Sequence, residues 1–288
     1  MEMNKNNGKE TPGFGKIRYV VGVLSGKGGV GKSTVTGIAA VRLRKMGYKV
    51  GILDADITGP SIPRFFGITD ARTGYIPTED EDVFRLIPVE SKLGIPLQSM
   101  NFMVDEESPV MWRGPILSNV LGQMFRDTEW GDLDYLLIDM PPGTGDVAIT
   151  VMGSFPVDYF IMVSTPQDLV TMIVTKLTNM SKELGVPIKG VVENMAWFRC
   201  DNCDKKHFLF SKNTPQEMAE KMGLELLAAL PVDSEFTENL EMGTAEQYAW
   251  DNDEYESIGE SFKNDEVYVA ALRKKKKMKS IPIMGMKK

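Results

Sequence analysis

Residues 26–33 read GKGGVGKS and fit the pattern G-x-x-x-x-G-K-[ST], a spacing that binds nucleotide phosphates. Glycines at Gly26, Gly28, Gly29 and Gly31 let consecutive backbone N–H groups, through Val30 and on to Thr34, converge on phosphate oxygens. Lys32 suits the β- and γ-phosphates, and the Ser33 hydroxyl suits Mg²⁺. Carboxylates that could complete a metal site close two apolar runs. GILDAD carries Asp54 and Asp56, and YLLID ends in Asp139, as a Walker B strand does. Asp54, Asp139 and Ser33 are therefore expected around one Mg²⁺, the carboxylates acting through water. Asp56 would be left to position an attacking water. The plain alternative for each aspartate is a turn or a helix cap, the role expected of Asp146.

The cysteines form a third group. Cys200 and Cys203 are the only two in the chain and stand as CDNC, which supplies two thiolates from one short turn. Zinc, an iron–sulfur cluster and redox exchange all fit that spacing. One chain cannot supply four thiolates, whereas two chains supply the Cys₄ of a [4Fe–4S] cluster. His207, the sole histidine, follows four residues after Cys203 and reads as a polar loop residue more readily than as a third ligand.

Elements that could position these residues recur along the chain. Apolar runs at 17–25, 48–56, 134–142, 158–166, 188–196 and 224–233 have the continuity of strands buried on both faces. Helical patterns fall between them, notably 32–46 closed by Gly47 and 169–184 closed by Gly185. Such alternation predicts an α/β fold, a doubly wound and mostly parallel sheet flanked by helices, with ligands at the carboxyl ends of the strands. The region 69–105 is less regular, with an EDED cluster and short strands expected near 84–89 and 97–100. A last helix is expected over 254–277. The division expected is a flexible leader 1–16, one ATPase domain 17–272 and a basic tail 273–288.

That tail holds eight basic residues and no acid, so the rest has 25 basic against 40 acidic residues, a body of −15. An acidic body is a poor general nucleic-acid binder. No apolar run is long enough for a bilayer, and the start lacks a signal peptide's apolar stretch, so a cytoplasmic protein without a membrane partner is expected.

The loop KGGVGKST resembles the deviant Walker A loop of the MinD, ParA, nitrogenase iron protein and Mrp group. With DADITGPSIP, MWRGP, DYLLIDMPPGTGD and GVVENMAWFRCDNC, it resembles the Mrp (ApbC-like) family of iron–sulfur cluster carriers over about residues 17–246. The resemblance implies a homodimeric, slow ATPase that holds a [4Fe–4S] cluster between paired C-x-x-C motifs and passes it to apoproteins. It implies that Lys27 reaches across the dimer to the partner's ATP, acting beside Lys32 and Asp56 in catalysis. It also implies that Asn194, Pro231 and Asp233 contact adenine. The alternatives are a MinD/ParA-like positioning ATPase, which has no use for the cysteines, and a nickel or zinc chaperone, for which paired C-x-x-C motifs also serve.

Overall fold

The computed structural model describes residues 9–10, 15–56, 61–77, 84–103, 114–144, 148–149, 152–153, 155–166, 170–200 and 202–279. Asp146, the EDED cluster, MWR of MWRGP and the chain beyond 279 lie outside the described residues. Strands are β1 (Lys9–Glu10), β2 (Lys16–Ser25), β3 (Val50–Asp54), β4 (Gly74–Pro77), β5 (Phe84–Ile87), β6 (Val89–Glu90), β7 (Pro96–Ser99), β8 (Leu133–Asp139), β9 (Tyr159–Ser164), β10 (Ile188–Arg199), β11 (Lys206–His207) and β12 (Leu226–Pro231). Helices used below are α1 (Lys32–Lys45), α2 (Ser61–Phe65), α3 (Gly114–Asp127), α4 (Val170–Leu184), α5 (Pro215–Met222), α6 (Ser234–Glu241), α7 (Ala245–Asp251), α8 (Glu256–Glu260) and α9 (Asp265–Lys279).

The central sheet runs β12-β10-β9-β2-β8-β3-β7 with every neighbouring pair parallel. Antiparallel β1, β6 and β11 are added to β2, β7 and β10. This is the doubly wound α/β sheet that the alternating pattern predicts. Its strands are buried on both faces because each side carries its own apolar layer. Tyr19, Val21 and Val23 of β2 pack with α1 and the carboxyl-terminal helices through Ile38, Phe236, Ala249 and Phe262. Val20 and Leu24 face the other way, toward Leu121 and Phe125 of α3 and Leu177 of α4.

Register places the chemistry. Asp54 lies opposite Asp139 across β3 and β8, Val23 lies opposite Asp139 across β2 and β8, and Glu193 lies opposite Ser164 across β9 and β10. The ends of β2, β3, β8 and β10 therefore share one edge of the sheet.

Several expected boundaries move. The strand expected over 188–196 continues to Arg199, because β11 folds back and pairs with its end. The strand expected near 84–89 breaks at Pro88, which cannot donate a ladder hydrogen bond. The helix expected over 254–277 divides into α8 and α9, separated by a turn at Ser261–Asn264. Asp265 opens α9 and is held inside by Lys189 and the Tyr159 hydroxyl, which sets the break. Helix α9 runs into the basic segment as far as Lys279, and Arg273 pairs with Asp158 at 3.5 Å. Within the expected leader, Lys9–Glu10 is paired to β2.

Candidate functional site

The loop between β2 and α1 follows directly from its glycines. Gly29 and Gly31 have φ of 80° and 81°, the left-handed region where glycine alone is unstrained. A Cβ at Gly31 would stand 2.2 Å from the Asn194 amide nitrogen, so any other residue there would have to push that side chain away from the loop. The same amide donates to the Val30 carbonyl at 2.9 Å and ties the loop to β10. Helix α1 begins at Lys32, with its amino end beneath the loop.

Lys32 is 5% exposed and its ammonium lies 2.7 Å from Asp139 and 3.3 Å from Asp56. Burial would lower its pKa, but Asp139, Asp56 and Asp54 outweigh that and hold it above the usual lysine value. Asp139 also accepts hydrogen bonds from Ser33 at 2.5 Å and Thr36 at 3.0 Å. Asp54 accepts from the Ser99 hydroxyl at 2.9 Å and from the Asp56 backbone N–H at 3.1 Å. Burial first, and then the neighbouring Asp139, holds the Asp54 carboxyl well above the usual range. Thus Lys32, Ser33, Asp54, Asp56 and Asp139 come together as the sequence predicts. Thr36 and Ser99 join them without having been singled out. The pattern of Thr36 one helical turn beyond Lys32 is the signal that could have found it, since its hydroxyl bonds the Lys32 carbonyl at 3.0 Å.

Two cavities meet over this cluster. One, about 340 Å³, is lined by the loop glycines, Lys27, Lys32, Ser33, Asp56 and Pro142. The other, about 260 Å³, is more apolar and lined by Asn194, Pro231, Asp233, Phe236, Leu240 and Tyr255. Gly31, Thr34 and Leu240 belong to both, so an end lined by the glycine-rich loop and Lys32 runs into a more apolar end, the division that a nucleotide's phosphates and base would need. Asn194, Pro231 and Asp233 do line the second cavity, but Asp233 is already engaged. It caps α6 through the Phe236 N–H at 2.9 Å and accepts from Tyr255 at 2.8 Å and Tyr248 at 3.0 Å. Lys27 is exposed at the loop's outer turn.

The hard oxygen set of Ser33, Asp139 and Asp54 beside the loop fits Mg²⁺. Ser33 and Asp139 already lie within one hydrogen bond of each other, so one cation can meet both.

Cys200 and Cys203 occupy the turn between β10 and β11. The Cys200 N–H donates to Lys205 at 3.0 Å, the Asp204 N–H donates to Cys200 at 2.8 Å, and Asp204 takes φ of 56° to close it. Arg199 braces the turn by pairing with Asp204 and with Glu254. One ring nitrogen of His207 comes within 4.8 Å of the cysteine sulfurs, so this histidine is no distant loop residue.

Residues 16–264 match a ParA-type family model described as NUBPL iron-transfer P-loop NTPase. The chain belongs to this family. This iron-transfer P-loop NTPase is 53% identical over 249 residues to an iron–sulfur cluster carrier protein of Clostridium perfringens, covering 86% of this chain and 87% of that one. An iron–sulfur cluster carrier protein of Pyrococcus horikoshii is 41% identical over 233 residues, 79% of each chain. A nucleotide-binding protein of Archaeoglobus fulgidus, solved in complex with ADP and with Co, superposes at TM-score 0.72 with 38% identity, covering 83% of this chain and 91% of that one. MinD of Pyrococcus horikoshii shares the fold at TM-score 0.54 and 23% identity, over 87% of this chain and 97% of that one. The positioning-ATPase alternative thus has a likeness of fold alone. P-loop NTPase chemistry is the activity of the family to which the chain belongs. Among the described residues, no helix is long and apolar enough to cross a membrane.

Proposed function

We propose that this chain is an ATP-driven carrier of iron–sulfur clusters, working as a homodimer that holds a [4Fe–4S] cluster between two C-x-x-C turns and delivers it to apoproteins. One observation carries the reading: Asn194, which touches the phosphate loop, and Cys200, in the thiolate turn, belong to the same strand and its immediate end. Five residues, Met195 to Arg199, join nucleotide and cargo sites, with Met195 at φ 56° turning the strand just past Asn194, so a shift at one reaches the other through backbone.

Lys32 and the loop N–H groups bind the β- and γ-phosphates, and Lys32 must leave Asp139 and Asp56 to do so. That exchange frees both carboxylates for their other tasks. Ser33 and Asp139, with Asp54 behind, hold Mg²⁺, which neutralises phosphate charge when bound. Asp56, at the mouth, orients the attacking water. Asn194 and the Pro231–Asp233 loop face adenine, with Asp233 setting the loop's shape through its helix cap and its two tyrosines. Lys27 acts on the partner's nucleotide as an arginine finger does. Hydrolysis is slow because each site waits for that second lysine. A cytoplasmic setting suits reduced, cluster-binding thiols.

Anaerobic reconstitution with iron and sulfide, followed by absorption and Mössbauer spectroscopy, tests the cargo. A [4Fe–4S] spectrum that passes to an apoprotein supports the proposal. A chain that takes up zinc or nickel but forms no cluster sinks it.

A further inference from the structure

Pairing of β10 with β11 sets Phe198 opposite His207 and Arg199 opposite Lys206. Opposite residues of an antiparallel pair point to the same face, and residues two apart on a strand do as well. Cys200, two beyond Phe198, is therefore carried to the face that bears His207. The His207 ring stacks on Phe198 at 5.2 Å between centroids and 27° between planes, which keeps the ring on that face. The result is a cluster in which one donor atom from each of Cys200, Cys203 and His207 lies within 4.8 Å of the others. Tetrahedral zinc, with bonds of about 2.3 Å to sulfur and about 2.0–2.1 Å to nitrogen, needs donors roughly 3.3–3.8 Å apart. Side-chain rotation of about 1 Å closes that gap, and both Cys203 and His207 are exposed and have room to turn.

We infer that a single subunit binds one borderline divalent cation, of the class of Zn²⁺, Co²⁺ or Fe²⁺, through Cys200, Cys203 and His207, with the fourth coordination position open. Two thiolates and an imidazole are a donor set for that class and not for Mg²⁺ or Ca²⁺. The site differs from a bridging cluster in needing no second chain. It shares both cysteines with that cluster, so a bound cation and the cluster exclude each other. The turn is built to hold its shape before any ion arrives, through the Cys200–Lys205 and Asp204–Cys200 backbone bonds and the clasp of Arg199 by Glu254. This inference is separate from the carrier reading, and neither depends on the other.

The full chain, reduced and free of nucleotide, is titrated anaerobically with Co²⁺ alone while thiolate-to-cobalt charge transfer and tetrahedral ligand-field bands are recorded. One Co²⁺ per chain is expected, with the protein monomeric in sedimentation. His207→Ala should weaken binding by about tenfold or more, as loss of ligand support does, and His207→Cys should restore it. His207 is exposed and lies outside the nucleotide cavities, so unchanged ATP binding verifies that the variants are folded. A His207→Ala titration that matches the parent overturns the assignment. So does an end point of one ion per two chains accompanied by dimerisation, which would mean four bridging thiolates.

Discussion

Lys32 and Lys27 stand five residues apart in one loop and meet opposite surroundings. Lys32 is buried among Asp139, Asp56 and Asp54, whereas Lys27 is exposed at the cavity's outer wall. Lys32→Ala removes the phosphate ligand and also strands buried carboxylates, so it should abolish ATP binding in calorimetry and lower stability by about 3–5 kcal/mol. Lys27→Ala should bind ATP normally and hydrolyse it about 10³-fold or more slowly, the scale of a lost finger. Mixing Lys27→Ala with Asp56→Ala protein puts both defects in one site of the hybrid dimer and neither in the other. Activity should therefore return in the mixture, and a mixture as dead as its parts would place Lys27 in its own subunit's site. Glu193, next to the pocket residue Asn194, makes a different prediction. It is 3% exposed, and burial pushes its pKa from 4.5 up to about 7. The unfolded chain releases this proton first, so stability falls as pH rises from about 4.5 to about 7 and is level above that. Glu193→Gln should remove that slope and raise stability above pH 7 by about 3 kcal/mol, measured by urea unfolding across the pH range. An unchanged slope would show that the carboxyl is relieved in some other way.

At the scale of elements, the parallel strands were legible because each is a continuous apolar run ending in a turn residue, and the strand tips bearing Asp54 and Asp139 followed from that. Helix α1 was legible for the same reason, ending at Lys45 with Gly47 at φ 92° beyond it. The β10–β11 hairpin was not, because Lys206–His207 is too short to show alternation and its partner end, Phe198–Arg199, lies beyond the apolar run that marks the strand. His207 consequently passed as a polar loop residue. The division of the last helix was hidden because the burial of Asp265 depends on Lys189 and Tyr159, far away in sequence. That cluster gives a test. Lys189 is 8% exposed and Asp265 1% exposed, and the Lys189 ammonium also lies 5.3 Å from the Tyr159 ring centre and 5.5 Å from that of Tyr268. Asp265→Ala leaves a buried cation without its counter-charge and should cost about 3–5 kcal/mol of stability. Replacing both with Met and Leu should cost far less, because no unpaired charge remains. Equal losses in the two variants would mean that packing, rather than the charge pair, holds α9.

The whole molecule has the shape of half a machine. The phosphate loop follows β2 and the cysteine turn follows β10, so both sites open at the carboxyl edge of one parallel sheet. A second copy meeting that edge would bring Lys27 to a foreign nucleotide and set two pairs of thiolates against each other. The charge of the body opposes this approach, since 40 acidic residues are spread over it. Association should therefore strengthen with salt, up to the range where the Debye length falls below about 10 Å. The metal count is the sharper measurement. Four thiolates from two chains complete one [4Fe–4S] cluster, so the reconstituted dimer should hold about four irons, two per chain. Cys200→Ser or Cys203→Ser leaves two sulfur ligands per dimer and should lose the cluster, while ATP binding survives because the pocket lies on other side chains. Iron and sulfide analysis joined to sedimentation decides the matter. Four irons on each chain, or a cluster that stays with an isolated monomer, is incompatible with a bridging site, because one chain has only two cysteines to offer.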